Sequence, residues 1–184
     1  MKKLFLLLLI CLSITFVNAK IWRVNNNAGV TADFTSAQQA NDAASVVNDD
    51  TLHFESSINN YGSLTLNKRL VLIGLGDFLT TNLNLQSTSI NAFLVNINVV
   101  AGGGGSTIMV SLNDITLSTV NDVVLQRCNV VNSIHINSSS NAVIKNCYIG
   151  GNININSGVG TQVLNSIIKS FVHVSNTASA VLTN

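Results

Sequence analysis

From Val124 to its last residue the chain repeats itself with a fixed period of nineteen residues, and that period dictates how the backbone must travel. Val124 to Val130, Val143 to Ile149 and Gln162 to Ile168 align without drift. Ile134 and Ile136 recur as Ile153 and Ile155, then as Val172 and Val174. A unit this short cannot bury an apolar side alone; it does so by stacking on its neighbours, which makes a solenoid.

Local pattern selects the kind of solenoid. Apolar residues alternate in pairs, Ala142 with Ile144, Cys147 with Ile149 and Ile153 with Ile155, and alternation of period two marks a strand with one buried face. Three such pairs fall in each repeat. The spacing therefore predicts an all-β fold, a right-handed parallel β-helix in which each strand pairs with its copy one coil away at about 4.8 Å. A leucine-rich repeat would need its own leucine spacing and a helical segment, and the sequence offers neither.

Arg127, Asn146, Asn165 and Asn184 stand one period apart. The three asparagines sit between strand pairs, where a left-handed corner suits Asn and stacked amides can form a ladder; Arg127 interrupts it. Cys128 and Cys147 are also one period apart, at an inward position that Ser166 fills in the next coil. Parallel side chains on stacked strands do not readily reach the disulfide dihedral, so a buried pair of free thiols is the expectation, with a disulfide as the alternative in an oxidising compartment.

The first nineteen residues have the layout of a secretory signal peptide. Lys2 and Lys3 are followed by the apolar run Leu4 to Val17 and a small-residue cleavage site, Val17-Asn18-Ala19, before Lys20. Export to the cell surface or medium is expected, and the run is too short for a comfortable membrane span. Removing it leaves seven basic and eight acidic residues, a formal charge of −1 in place of +1. Clustered Lys and Arg are missing, so nucleic acid is not an expected partner. Residues 20–50 read as a first strand, Ile21 to Val24, and a short N-terminal capping helix near Asp33 to Ala44. Its signals are a Thr35 to Gln38 capping box and an Ala37, Ala40, Ala44 stripe. Residues 51–184 read as coils, expected to be incomplete at the C-terminus, so that end-to-end association through the last coil is a possible partner mode.

Asp49-Asp50 shapes the turn into the first coil, where Leu52 and Phe54 face inward. The runs Asp50-Thr51-Leu52-His53-Phe54, Tyr61 to Lys68 and Leu70 to Gly76 resemble the first coils of secreted right-handed parallel β-helix proteins of the pectate-lyase-like superfamily, of the type exported by Bacteroidetes. The resemblance covers roughly residues 20–150 and implies coils, not chemistry. Leu83 and Leu85 repeat Leu64 and Leu66 at nineteen residues, and Phe93, Val95, Ile97 and Val99 alternate. The glycines 102 to 105 lack a following Lys-Ser or Lys-Thr, so they read as a flexible bulge and not a phosphate loop. Val110, Leu112, Ile115 and Leu117 rejoin the register.

Catalysis on such a scaffold needs a basic residue beside acidic calcium ligands for a lyase, or two facing carboxylates for a hydrolase. Asp114 and Asp122, the acids of the later coils, do not share a column, and the lyase residues find no counterparts here. No cofactor or metal is expected. The ligand-binding candidates are the outward residues His135, Asn154 and His173, with the two histidines about 9.6 Å apart across two strand spacings. That is a row of hydrogen-bonding groups suited to a sugar chain and too wide for zinc. Tyr148 and Trp22 are aromatic candidates for stacking on sugar. The sequence thus points to an exported non-catalytic β-helix module that binds carbohydrate or acts in surface display. The alternative is an N-terminal fragment of a polysaccharide lyase or glycoside hydrolase.

Overall fold

The computed structural model describes residues 19–74, 92–176 and 178–183. They form an all-parallel β-solenoid of about six turns. The leader residues 1–18, the Leu83 and Leu85 pair, and Asn184 of the expected ladder lie outside the described residues.

Each regular coil carries three short strands, as the alternation predicts. One coil contains β8 (Val124–Gln126), β9 (Asn129–Val130) and β10 (Ile134–Asn137). The next contains β11 (Val143–Lys145), β12 (Tyr148–Ile149) and β13 (Ile153–Asn156), followed by β14 (Thr161–Leu164), β15 (Ile167–Ile168) and β16 (Val172–Ser175). The first face of the stack runs through β1 (Ile21–Val24), β2 (Thr51–Phe54), β4 (Val71–Gly74), β6 (Thr107–Met109), β8, β11, β14 and β17 (Ala180–Thr183). The second and third faces fuse at β7 (Ser111–Ser118), one strand that pairs with both β9 and β10. Before it, β5 (Phe93–Val99) does the same work, and β3 (Leu64–Leu66) pairs with β5.

Inward residues stack on their copies. Ile108, Leu125, Ile144 and Val163 form one buried column, and Ile115, Ile134 and Ile153 another. Burying one such side chain stabilises by about 1.5–3 kcal/mol relative to leaving it in water. Hydrophobic columns therefore run the length of the stack, and each coil depends on the next for cover.

On the first face the nineteen-residue interval holds only from β8 on. Along the first face, the steps from Ile21 to Thr51, Val71, Thr107 and Val124 are 30, 20, 36 and 17 residues, then 19 each to Val143, Gln162 and Val181. Leu64 and Leu66 stack on Ile97 and Val99. In β5 the buried residues are Leu94, Ile97 and Val99, while Phe93 and Val95 are half-buried. The backbone turns a corner between Leu94 and Ile97, which breaks the expected alternation.

Three left-handed corners per coil close each turn. Arg127, Asn146 and Asn165 have φ of 53°, 54° and 44°. A second column, Thr119, Ser138, Ser157 and Asn176, has φ of 55°, 49°, 55° and 59°, and a third, Asp122, Asn141 and Gly160, has 61°, 57° and 70°. Asn165 Nδ2 donates to Asn146 Oδ1 at 2.7 Å, so the ladder exists between these two residues. Asn141 Nδ2 donates to Asp122 Oδ1 at 3.1 Å in the third column, the same device one corner away.

The glycine run is a packed corner, not a flexible bulge. Gly103 N donates to Val100 O at 2.8 Å and Gly105 N to Asn121 O at 2.9 Å. Gly102 has φ +95°, and a Cβ there would lie 2.2 Å from Asn67 O; at Gly103 it would lie 2.5 Å from Leu66 O. Glycine is required because two backbones touch.

The cap is present but shorter and shifted. Helix α1 spans Ala37–Asp42, with Ser36, not Thr35, as N-cap; Ser36 Oγ accepts from Gln39 N at 3.2 Å. Ala37 and Ala40 are buried, whereas Ala44 is exposed and lies beyond the helix end. Gln38, expected in a capping box, instead uses its amide as a substitute strand: its Oε1 accepts from Thr65 N at 2.8 Å on the outer edge of β3. Lys68 Nζ donates to Ala43 O and Val46 O, each at 2.8 Å. Beside it, the outer edge of β1 is taken by Phe34, whose N donates to Arg23 O at 3.1 Å and whose O accepts from Asn25 N at 2.9 Å.

Candidate functional site

The third face is built from β5, β7, β10, β13 and β16, and its alternation sends every second side chain outward. One outward row runs Asn98, Thr116, His135, Asn154 and His173. A parallel row two residues on contains Ser118, Asn137, Asn156 and Ser175. The structure therefore brings His135, Asn154 and His173 together on adjacent strands. Asn154 Nδ2 lies 3.5 Å from His135 Nδ1, and His173 is exposed at the last of these strands.

Neither row contains Asp, Glu, Lys or Arg. Amides, hydroxyls and imidazoles repeat at the strand spacing, about 4.8 Å, and each can donate as well as accept. The side chains also hold one another: Ser118 Oγ donates to Asn98 Oδ1 at 3.2 Å, and Asn176 Nδ2 donates to Asn156 Oδ1. The first face is different in kind. Its outward residues include Val71, Val124, Val143, Met109 and Leu164, with Lys145 among them. The second aligns Phe93, Ser111, Asn129, Tyr148 and Ile167, of which Ser111 is buried and Ile167 is exposed. Among the described residues, continuous polarity is thus confined to the third face, a signal readable in the sequence once the register is known.

The aromatic candidates separate. Trp22 is 9% exposed, its indole packs 5.5 Å from the Phe34 ring, and its Nε1 donates to Asp50 Oδ2 at 2.8 Å, so it belongs to the core and not to a sugar-stacking surface. Tyr148 lies on the second face with Lys169 Nζ 5.7 Å from its ring centre. Asp114 and Asp122 hold corners. Asp114 accepts from Asn132 Nδ2 at 3.0 Å and Ser133 N at 3.1 Å, and Asp122 takes the left-handed position described above. Among the described residues no three His, Cys, Asp or Glu side chains cluster as metal ligands.

Cys128 and Cys147 are buried and unbridged, in an inward column with Ala92, Val110 and Ser166. Cys147 Sγ lies 3.3 Å from Lys145 O, and Ser166 Oγ donates to the equivalent carbonyl of Leu164 at 2.9 Å. Hydrogen bonding to Cys147, together with complete burial, pushes the Cys128 thiol well above its ordinary range. Such a thiol is a packing group and a poor nucleophile.

Two hollows lie elsewhere. One, of about 400 Å³, opens at the end of the stack between Val163, Ser166, Ile167, Ile168, Leu182 and Thr183. The other, of about 490 Å³, borders the glycine corner and Arg69, whose guanidinium is paired with Asp49 at 2.5 Å. The first is lined by no ionisable side chain, and the second by Arg69 and Asp122.

No family model, no curated protein and no solved structure matches this chain.

Proposed function

We propose that this chain is an exported, non-catalytic β-helix module that binds carbohydrate along its third face, and that it belongs with the pectate-lyase-like proteins its first coils resemble. The supporting observation is the pair of parallel outward rows, Asn98 to His173 and Ser118 to Ser175, which repeat neutral-type hydrogen-bonding groups at strand spacing. A glycan presents hydroxyls that both donate and accept, and amide and hydroxyl side chains are matched to them without the desolvation cost of a carboxylate or ammonium. A flat, polar, laterally hydrogen-bonded face is also already ordered, so little side-chain freedom is lost on binding.

Co-sedimentation with a panel of neutral and acidic insoluble polysaccharides tests the reading. Retention should fall about tenfold or more in a His135→Ala, Asn154→Ala double variant, because removing groups from a hydrogen-bonded row leaves sugar hydroxyls unpaired. Unchanged retention by a variant with native circular dichroism removes the proposed site. Release of unsaturated sugar from the acidic polymers would favour the lyase fragment instead.

The surface-display half of the reading is supported by strand edges that are open among the described residues. Phe34 and Gln38 occupy the outer edges of the first coil. Among the described residues β15, β16 and β17 pair on one side only, and Ile167, Phe171, Val181 and Leu182 are exposed beside them. Open edges of this kind can pair with a second copy of the chain.

A further inference from the structure

Asp50 is a carboxylate buried at the junction of the first coils. It is 1% exposed, and three donors converge on it. Lys20 main-chain N reaches Oδ1 at 2.7 Å, while Trp22 Nε1 and Val47 N reach Oδ2 at 2.8 and 3.0 Å. Its own carbonyl accepts from Val71 N at 3.0 Å, and Thr51 N donates to Lys20 O at 2.8 Å, so this one residue ties the start of β1 to the starts of β2 and β4. It forms no side-chain ion pair among the described residues. The Lys20 ammonium rests over the Trp22 ring, 3.3 Å from its centre. Burial pushes the Asp50 carboxyl up, but the hydrogen bonds from Lys20, Trp22 and Val47, with the Lys20 charge, outweigh it and hold the group below its usual range. Three neutral N–H groups are a sparse complement for a carboxylate this deep.

The donor on Oδ1 is not an arbitrary amide. Lys20 directly follows Val17-Asn18-Ala19, the cleavage site read from the sequence. A signal peptidase that hydrolyses the Ala19–Lys20 bond consumes one water, leaves the Ala19 carboxylate on the leader, and gives Lys20 an amine that takes up a proton. The new α-ammonium would stand where the peptide N–H stands now, 2.7 Å from Oδ1. We propose that Asp50 is the counterion of this α-ammonium, so that leader removal creates an ion pair that locks the first coil. The inference rests on the export reading above. Its chemistry is the replacement of a neutral donor by a charged one at a fixed position, where a charge-assisted hydrogen bond is about twice as strong as a neutral one. Before cleavage Asp50 holds a peptide; afterwards it holds a cation.

The test begins with the exported full chain. N-terminal sequencing should give Lys20 as the first residue, and any other start overturns both the export site and this pair. Four proteins then form a cycle: the chain beginning at Lys20 or retaining Asn18-Ala19, each with Asp50 or with Asp50→Asn. The free Lys20 terminus should raise the folding equilibrium constant about tenfold when Asp50 is present, and less than about twofold in Asp50→Asn. Equal stabilities with Asp50, or a gain that survives Asp50→Asn, overturn the pair while leaving the export reading standing. A second measurement covers the case in which Asp50→Asn does not fold. Near neutral pH, cyanate should carbamylate the Lys20 α-amine of the native protein at least about tenfold more slowly than in the urea-unfolded chain, because the ion pair keeps it protonated. Equal rates overturn the proposal.

Discussion

Replacing Arg127 by asparagine puts the corner chemistry to a quantitative test. Arg127 holds φ 53°, in the column continued by Asn146 and Asn165. A side chain with a Cβ costs roughly 1–2 kcal/mol in the left-handed region, and asparagine escapes much of that through local hydrogen bonding. The Arg127 side chain is exposed and forms no ion pair among the described residues, so its removal forfeits little. Asparagine at 127 would offer Oδ1 to Asn146 Nδ2, as Asn146 Oδ1 already accepts from Asn165 Nδ2 at 2.7 Å. One such bond contributes about 0.5–1 kcal/mol net. Arg127→Asn should therefore stabilise the protein by about 1 kcal/mol and raise Tm by about 2–4 °C for a chain of this size. Arg127→Ala is the control, since it keeps a Cβ in the same backbone and supplies no amide; it should equal the parent or fall below it. Thermal and urea unfolding followed by far-ultraviolet circular dichroism measure both. If the Asn and Ala variants unfold together, the amide column contributes nothing and the argument fails.

Four further outcomes follow from named contacts. Gly102→Ala drives a Cβ to 2.2 Å from Asn67 O at φ +95° and should cost about 2–4 kcal/mol, whereas Gly29→Ala, with open space around it at φ +78°, should cost about 1 kcal/mol; urea midpoints separate them. Cys147→Ser should fold with less than about 1.5 kcal/mol lost, because Ser166 shows that a hydroxyl fits this column, and the native thiols should resist aromatic disulfide reagents until the chain unfolds, since both are buried. The Asp50 carboxyl is held below its ordinary 3.8, so the stability it contributes is complete above that value and is lost as pH falls through the lower folded value; urea midpoints against pH should show an acid decline that Asp50→Asn diminishes. Pairing of two copies at β17 predicts a sedimentation coefficient that rises with concentration, abolished by Val181→Lys.

The periodic half of this fold was readable residue by residue. From β8 on, every coil has the same length, so Ile134, Ile153 and Val172 announce one column by spacing alone. Upstream, the interval from Val71 to Thr107 is 36 residues, and the strand neighbours of Leu64 and Leu66 are Ile97 and Val99, 33 residues further on. Composition could not distinguish glycine used for freedom from glycine used for closeness; only the approach of Asn67 and Leu66 carbonyls decides it. Of three left-handed columns, one was visible because it repeats asparagine. Thr119, Ser138, Ser157 and Asn176 keep the same nineteen-residue step, but their differing side chains concealed that the backbone, not the residue type, is what repeats. The His135, Asn154, His173 row was legible because alternation and period together fix both face and register. Its neighbour, Asn137 with Asn156, carries the same information without an imidazole to mark it.

The cap on the first coil gives the stack a direction. Duplicating one nineteen-codon unit on the far side would lengthen the rod by a single strand spacing, about 4.8 Å, and disturb nothing before it. Such a scaffold is a ruler that a genome can extend notch by notch, with its zero mark held fixed by Phe34 and Gln38.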